Sequence, residues 1–95
     1  MAKRIKWSPQ AADDLEDIYR YISRNSVYYA SLLVKRINSI VKDIPKFPKA
    51  GRMVPEFQDQ NLRERIFQNY RIVYRLKNDL IEIVTIAHCA QLLKI

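Results

Sequence analysis

LRERIFQNYRIVYRL, residues 62–76, decides how the rest of the chain is arranged. Apolar and basic residues interleave over both halves, and Asn69 stands between the two runs as a turn residue, so the stretch reads as a hairpin. Register then sets which side chains share a face. A three-residue loop, 68–70, puts Phe67 opposite Arg71, Arg65 opposite Val73 and Arg63 opposite Arg75. One face then carries Arg63, Arg65, Arg71 and Arg75 around Phe67 and Val73. The other carries Leu62, Ile66, Ile72, Tyr74 and Leu76, with Glu64 as its one charged member. A two-residue loop splits the arginines between faces and leaves neither face apolar. Because a one-residue slip turns every side chain over, burial of one face selects the three-residue loop. The expected hairpin thus joins a dry face to a face of arginines, whose planar forks match phosphate or carboxylate.

The segments before the hairpin supply its cover. Ile5 and Trp7 alternate with Lys and Arg in a short strand from Lys3 to Trp7. Ser8-Pro9 gives an N-cap followed by proline at the first helical position. Ala12, Leu15, Ile18, Tyr19 and Ile22 fall at helical spacing as a core stripe. Asp13, Asp14, Glu16 and Asp17 fill the early turns, where the helix dipole favours negative charge; with no His or Cys interleaved, they are not read as a metal site. Asn25-Ser26 ends this helix and caps a second one. Its stripe is Ala30, Leu33, Val34, Ile37, Ile40, Val41 and Ile44, and Pro45 stops it. So short a link makes the pair an antiparallel helical hairpin.

Residues 46–60 hold Pro48, Pro55 and the single glycine, Gly51, and read as an ordered loop pinned by Phe47, Met53, Val54 and Phe57. After the hairpin, Lys77-Asn78-Asp79 turns the chain. Leu80 to Ala87 reads as a central strand, and His88 to Ile95 as a helical turn or tail. The expected architecture is α+β in one domain, 1–95: an opening strand, a helical hairpin and a three-stranded antiparallel meander, with the helices on one sheet face. The arginines line the uncovered face.

Composition narrows the function. The chain has 95 residues, 48% hydrophobic and 28% charged, as ordinary globular proteins do. Its longest apolar runs fall short of the roughly 18 residues a membrane span needs, so no membrane partner is expected. No signal peptide is read in MAKRIKW, and the single Cys89 excludes an internal disulfide and argues for a reducing cytoplasm. Net charge is +7, of which residues 1–34 contribute +1 and residues 35–95 contribute +6. A basic half suits a polyanionic or acidic partner, although Lys46, Lys49, Lys77 and Lys94 are equally read as solubility charges.

One His and one Cys exclude a zinc quartet, and a lone glycine excludes a phosphate-cradling loop, so neither metal nor cofactor is expected. What remains is a basic sheet face rimmed by Phe67, Tyr70, Tyr74 and His88. Such a face can bind single-stranded RNA by phosphate contact and base stacking. It can also assist attack of the RNA 2′-hydroxyl on its own phosphate, with guanidinium groups holding the added charge. Arginine is a poor base, and His88 is the side chain that titrates near neutral pH without help. His88 also reads as a strand-end residue bonded to backbone, and that reading is preferred to catalysis.

From end to end the chain resembles the RelE/ParE superfamily of toxins from type II toxin–antitoxin systems, which includes the plasmid stabilisation proteins. The resemblance lies in the opening strand with WSPQAADDLEDIYRYI, the FPKAGRMVPE loop, the RERIFQNYRIVYR hairpin and the IEIVTIAH strand. It implies a helical hairpin on an antiparallel sheet and a growth-inhibiting toxin neutralised by a cognate antitoxin. RelE-like members cut mRNA in the ribosomal A site, and ParE-like members poison DNA gyrase. In the RelE-like case the resemblance makes Arg63, Arg65 and Arg71 phosphate-binding positions. Those members also use an arginine past the last strand and a tyrosine or histidine near the C-terminus; here HCAQLLKI offers His88 but no arginine or tyrosine after it. The opening helix and the FPKAGR loop look more like the ParE branch, where no catalytic residues are expected.

Three functions therefore stand: a poison acting by binding, a ribosome-dependent endoribonuclease using Arg63, Arg65, Arg71 and His88 in one cleft, and a plain RNA-binding module. A short neighbouring gene for an acidic-tailed DNA-binding protein separates the last from the others. For Arg71 the expectation is mutual repulsion with Arg63 and Arg65, relieved by a bound anion, so that Arg71→Ala abolishes toxicity without loss of stability. The alternative has Arg71 paired with Glu64 or Glu82.

Overall fold

The computed structural model describes residues 3–93; Lys94 and Ile95, part of the expected tail, lie outside the described residues. The elements run β1 (Arg4–Trp7), α1 (Pro9–Ser23), α2 (Val27–Asp43), a 3-10 turn (Ile44–Lys46), β2 (Arg52–Met53), β3 (Leu62–Phe67), β4 (Tyr70–Leu76) and β5 (Leu80–His88). They form a five-stranded sheet in the order β1-β5-β4-β3-β2. β1 runs parallel to β5, and every other pair is antiparallel. The α+β architecture is the expected one, with β2 added as a short edge inside the loop.

The helices start where their caps are. Ser8 Oγ accepts the Ala11 N–H at 3.0 Å and donates to the Val84 carbonyl at 2.7 Å, so one hydroxyl caps α1 and ties it to the central strand. Ser26 Oγ accepts the Tyr29 N–H at 3.0 Å and opens α2. Buried Leu33, Ile37 and Val41 of α2, with Ile44 after it, meet Ile72, Tyr74, Leu76, Ile81, Ile83 and Ile86 of the sheet. On α1 the expected Leu15, Ile18 and Ile22 pack against the core, but at its start Ala11 is buried in place of Ala12, which is exposed. Asp14 shares that inner side. Its carboxylate accepts the Thr85 hydroxyl and the Ile86 N–H, so it completes a gap in the hydrogen bonding of β5 and does not serve the helix dipole.

The hairpin departs from the expected register. Its turn has two central residues, Gln68 and Asn69, and pairs Phe67 with Tyr70, Ile66 with Arg71, Arg65 with Ile72, Glu64 with Val73 and Arg63 with Tyr74. Gln68 takes a φ of 53°, the positive value that primed hairpin turns use at this position. The arginines are therefore split. Arg63 and Arg65 project on the side of Phe67, Tyr70, Ile72 and Tyr74, which face the helices; Arg71 and Arg75 project on the other.

That second side is not open either. Val54, Leu62 and Val73 form a small buried cluster there, flanked by Phe57, Val84 and Leu93. The loop before β3 and the segment after β5 cover the face expected to be bare. A sheet clothed on both sides needs no single dry face, and the premise that selected the three-residue loop fails. Of the four expected loop anchors, Val54 and Phe57 pack inward, whereas Phe47 and Met53 stay exposed. No helix among the described residues is long and apolar enough to cross a membrane.

Candidate functional site

Arg71 lies at the centre of the second face. It is 4% exposed, and Glu64 beside it is 1% exposed. Arg71 Nε donates to Glu64 Oε1 at 2.7 Å. Its Nη1 and Nη2 donate to the two oxygens of Glu56, both at 2.6 Å, in a two-pronged pair. Nη1 also donates to the Gln91 carbonyl at 3.1 Å. Glu56 Oε2 accepts the Leu93 N–H at 3.1 Å, and Arg52 Nε donates to the far oxygen of Glu64. One guanidinium thus fastens the loop, strand β3 and the segment after β5 to strand β4.

The ionisation of the pair follows from these bonds. The Arg71 hydrogen bonds hold the Glu56 carboxyl down at about 2, against a burial penalty that pushes it up. Glu56 in turn raises Arg71 above the ordinary guanidinium range, with a further contribution from Glu64. The expected repulsion among Arg63, Arg65 and Arg71 is absent here because Arg71 lies on the opposite face and is already paired. Of the two partners considered for it, Glu64 is correct; Glu82 pairs with Lys77 at 3.6 Å. Glu56 was legible only as part of FPKAGRMVPE, where no role was attached to it. Sequence spacing could not reveal its approach across 15 residues.

The other expected site residues stand apart from Arg71. Arg63 donates through Nε to the Gln60 carbonyl at 2.9 Å and through Nη1 to the Lys49 and Gly51 carbonyls at 3.3 and 3.1 Å. It braces the loop. Arg65 is half-buried next to Ile72 in the ladder and makes no ion pair among the described residues. His88 ends β5, exposed, opposite Tyr70, whose ring it meets edge-on at a centroid distance of 6.0 Å. Its Nδ1 accepts the Ala90 N–H at 3.2 Å. The aromatic rim also dissolves. Tyr74 is fully buried with its hydroxyl on the Pro48 carbonyl, and Phe67 and Tyr70 pack against the core. The structure does not bring Arg63, Arg65, Arg71 and His88 into one cleft. A shallow hollow of 320 Å³ does border Arg71, with Arg52, Glu56 and Gln91 in its wall, but the Arg71 guanidinium there is already bound to Glu56.

Comparison with known proteins gives this geometry a context. The sequence matches the family described as the ParE toxin of the type II toxin–antitoxin system parDE over residues 5–93. The chain belongs to the ParE toxin family. It thereby falls in the RelE/ParE superfamily to which its motifs pointed. A Sinorhizobium fredii protein designated a toxin, Y4kP, is 32% identical over 91 residues, spanning 94% of this chain and 91% of that one. The chromosomal ParDE system of P. aeruginosa contains a chain of the same fold: TM-score 0.75, 24% identity, 92% of this ParE-family chain and 96% of that one covered. The fold is shared as well with the RelBE2 toxin–antitoxin complex of Mycobacterium tuberculosis, at a TM-score of 0.66 and 14% identity over 93% and 99% of the two chains. Neighbours of both the ParE and the RelE kind thus carry this fold.

Proposed function

We propose that this ParE-family toxin inhibits growth by binding its target, with DNA gyrase as the target implied by the ParE resemblance, and that a cognate antitoxin neutralises it. The observation that carries this reading is the state of Arg71. A guanidinium that stabilises a phosphorane must offer free donors to the phosphate. Here four of its five N–H groups are committed to two carboxylates and a carbonyl. Arg63 is likewise spent on backbone carbonyls, and Arg65 and His88 project on the sheet face opposite Arg71. A binding poison needs only a shaped surface, and these constraints do not impede it.

Two reactions test the proposal side by side. Purified toxin is added to gyrase with supercoiled plasmid, and to translating ribosomes with a defined mRNA read by primer extension. Accumulation of gyrase–DNA cleavage complexes with intact mRNA is expected. Cuts in the mRNA at ribosomal A-site codons, lost in Arg65→Ala or His88→Ala, would overturn it in favour of an endoribonuclease. Addition of the antitoxin is expected to abolish either effect.

A further inference from the structure

The loop that follows α2 is rigidly held, yet it turns its largest side chain to water. Tyr74 Oη donates to the Pro48 carbonyl at 2.6 Å, and Arg63 Nη1 grips the Lys49 and Gly51 carbonyls. At Gly51 the packing leaves no room for a side chain, since a Cβ would lie 2.8 Å from the Glu64 carbonyl and closer still to Tyr74 Oη. Just before these anchors Phe47 remains 69% exposed. Phe47, Pro48, Ala50 and Leu76 form the apolar part of a hollow of 500 Å³, and Lys3, Lys46 and Lys49 complete its wall. No carboxylate lines it. Lys46 reaches Asp43 at 3.4 Å and Lys3 Nζ donates to the Lys77 carbonyl, whereas Lys49 has no ion-pair partner among the described residues.

We propose that this hollow docks an acidic peptide segment of a protein partner, seating one bulky apolar side chain against Phe47 and placing carboxylates on Lys3, Lys46 and Lys49. An exposed aromatic on a pinned loop gains nothing for folding, but it supplies a preordered anchor for association, with little ordering cost at the moment of binding. The volume falls in the range of roughly 300–1,000 Å³ typical of ligand hollows. The wall carries positive charge only, and it complements an anion. Single-stranded nucleic acid fits less well, because it needs successive aromatic platforms along a basic track. This hollow has one aromatic ring, and ammonium groups surround it in place of guanidinium forks. The inference is independent of the Arg71 network, which lies on the other sheet face, and of whether the toxin cuts RNA.

The test is an NMR titration of the ¹⁵N-labelled protein with the peptide acetyl-Asp-Glu-Phe-Glu-Asp-amide. Three controls accompany it: the same peptide with alanine for phenylalanine, one with lysine for each acid, and a short oligouridylate. Amide shifts are expected at residues 46–51 and Leu76, with binding weakened about tenfold by Phe47→Ala and by Lys49→Glu in the protein. Both side chains are exposed, so the melting temperatures of these variants should match the parent. Absence of shifts, shifts centred elsewhere, or equal affinity for the alanine peptide would overturn the proposal. Tighter binding of the oligouridylate to the same amides would overturn it in favour of a nucleic-acid surface.

Discussion

Arg71 shows how far a single side chain's meaning depends on its neighbours. Truncating it strands Glu64, which is buried and would keep only Arg52. Breaking one partner of a buried pair costs about 3–5 kcal/mol, so Arg71→Ala should destabilise the fold strongly, contrary to the relief of repulsion expected from sequence. Urea denaturation measures this, and adding Glu64→Gln should recover part of the loss. Arg75→Ala is the comparison: its partner Asp59, at 3.2 Å, is well exposed, and the change should stay within about 1 kcal/mol. Acid provides a second test. Glu56 has a folded value of about 2 against 4.5 for the free side chain. A depressed carboxyl contributes stability that is complete above the unfolded value and disappears as pH falls through the folded one. Thermal stability should therefore decline between about pH 4.5 and pH 2, and Glu56→Gln should flatten that decline while lowering stability at neutral pH.

The same Ser residue type does different work at the two helix starts. Ser26→Ala removes a cap alone and should cost about 1 kcal/mol. Ser8→Ala also leaves the Val84 carbonyl without its hydroxyl donor, so its melting temperature should fall further than that of Ser26→Ala. Both caps, both helices and the final strand were legible because their signals are local: a hydroxyl before the helix, a 3.6-residue stripe, a β-branched run. The hairpin register was not. Choosing it required knowing what covers each face, and that is settled by Val54, Phe57 and Leu93, which arrive from distant loops with no periodicity of their own. Gln68 hid the turn as well, since a non-glycine residue at positive φ carries no clear sequence mark. The candidate site fared likewise. Arginine at 63, 65 and 71 was visible, but the faces and partners that decide what each can do were not.

At the scale of the whole molecule, net charge acts before any contact is made. With Arg71 and Arg75 neutralised internally, the outward field comes from surface lysines and the remaining arginines of a chain with net charge +7. An acidic antitoxin segment should associate more slowly as ionic strength rises. Stopped-flow mixing checks this, and a rate indifferent to salt would mean that docking uses an uncharged surface. The sheet order has a temporal consequence too. β1 is synthesised before the other strands, yet among the described residues its only neighbour in the sheet is β5, and residues 4–7 wait for residues 80–83. β5 also pairs with β4 and packs under α1, so the element that joins the layers leaves the ribosome after nearly everything it must hold. Contacts so distant in sequence close slowly. Until β5 emerges, the nascent chain has helices but no finished sheet, and any surface that spans both layers has to wait for the last strand.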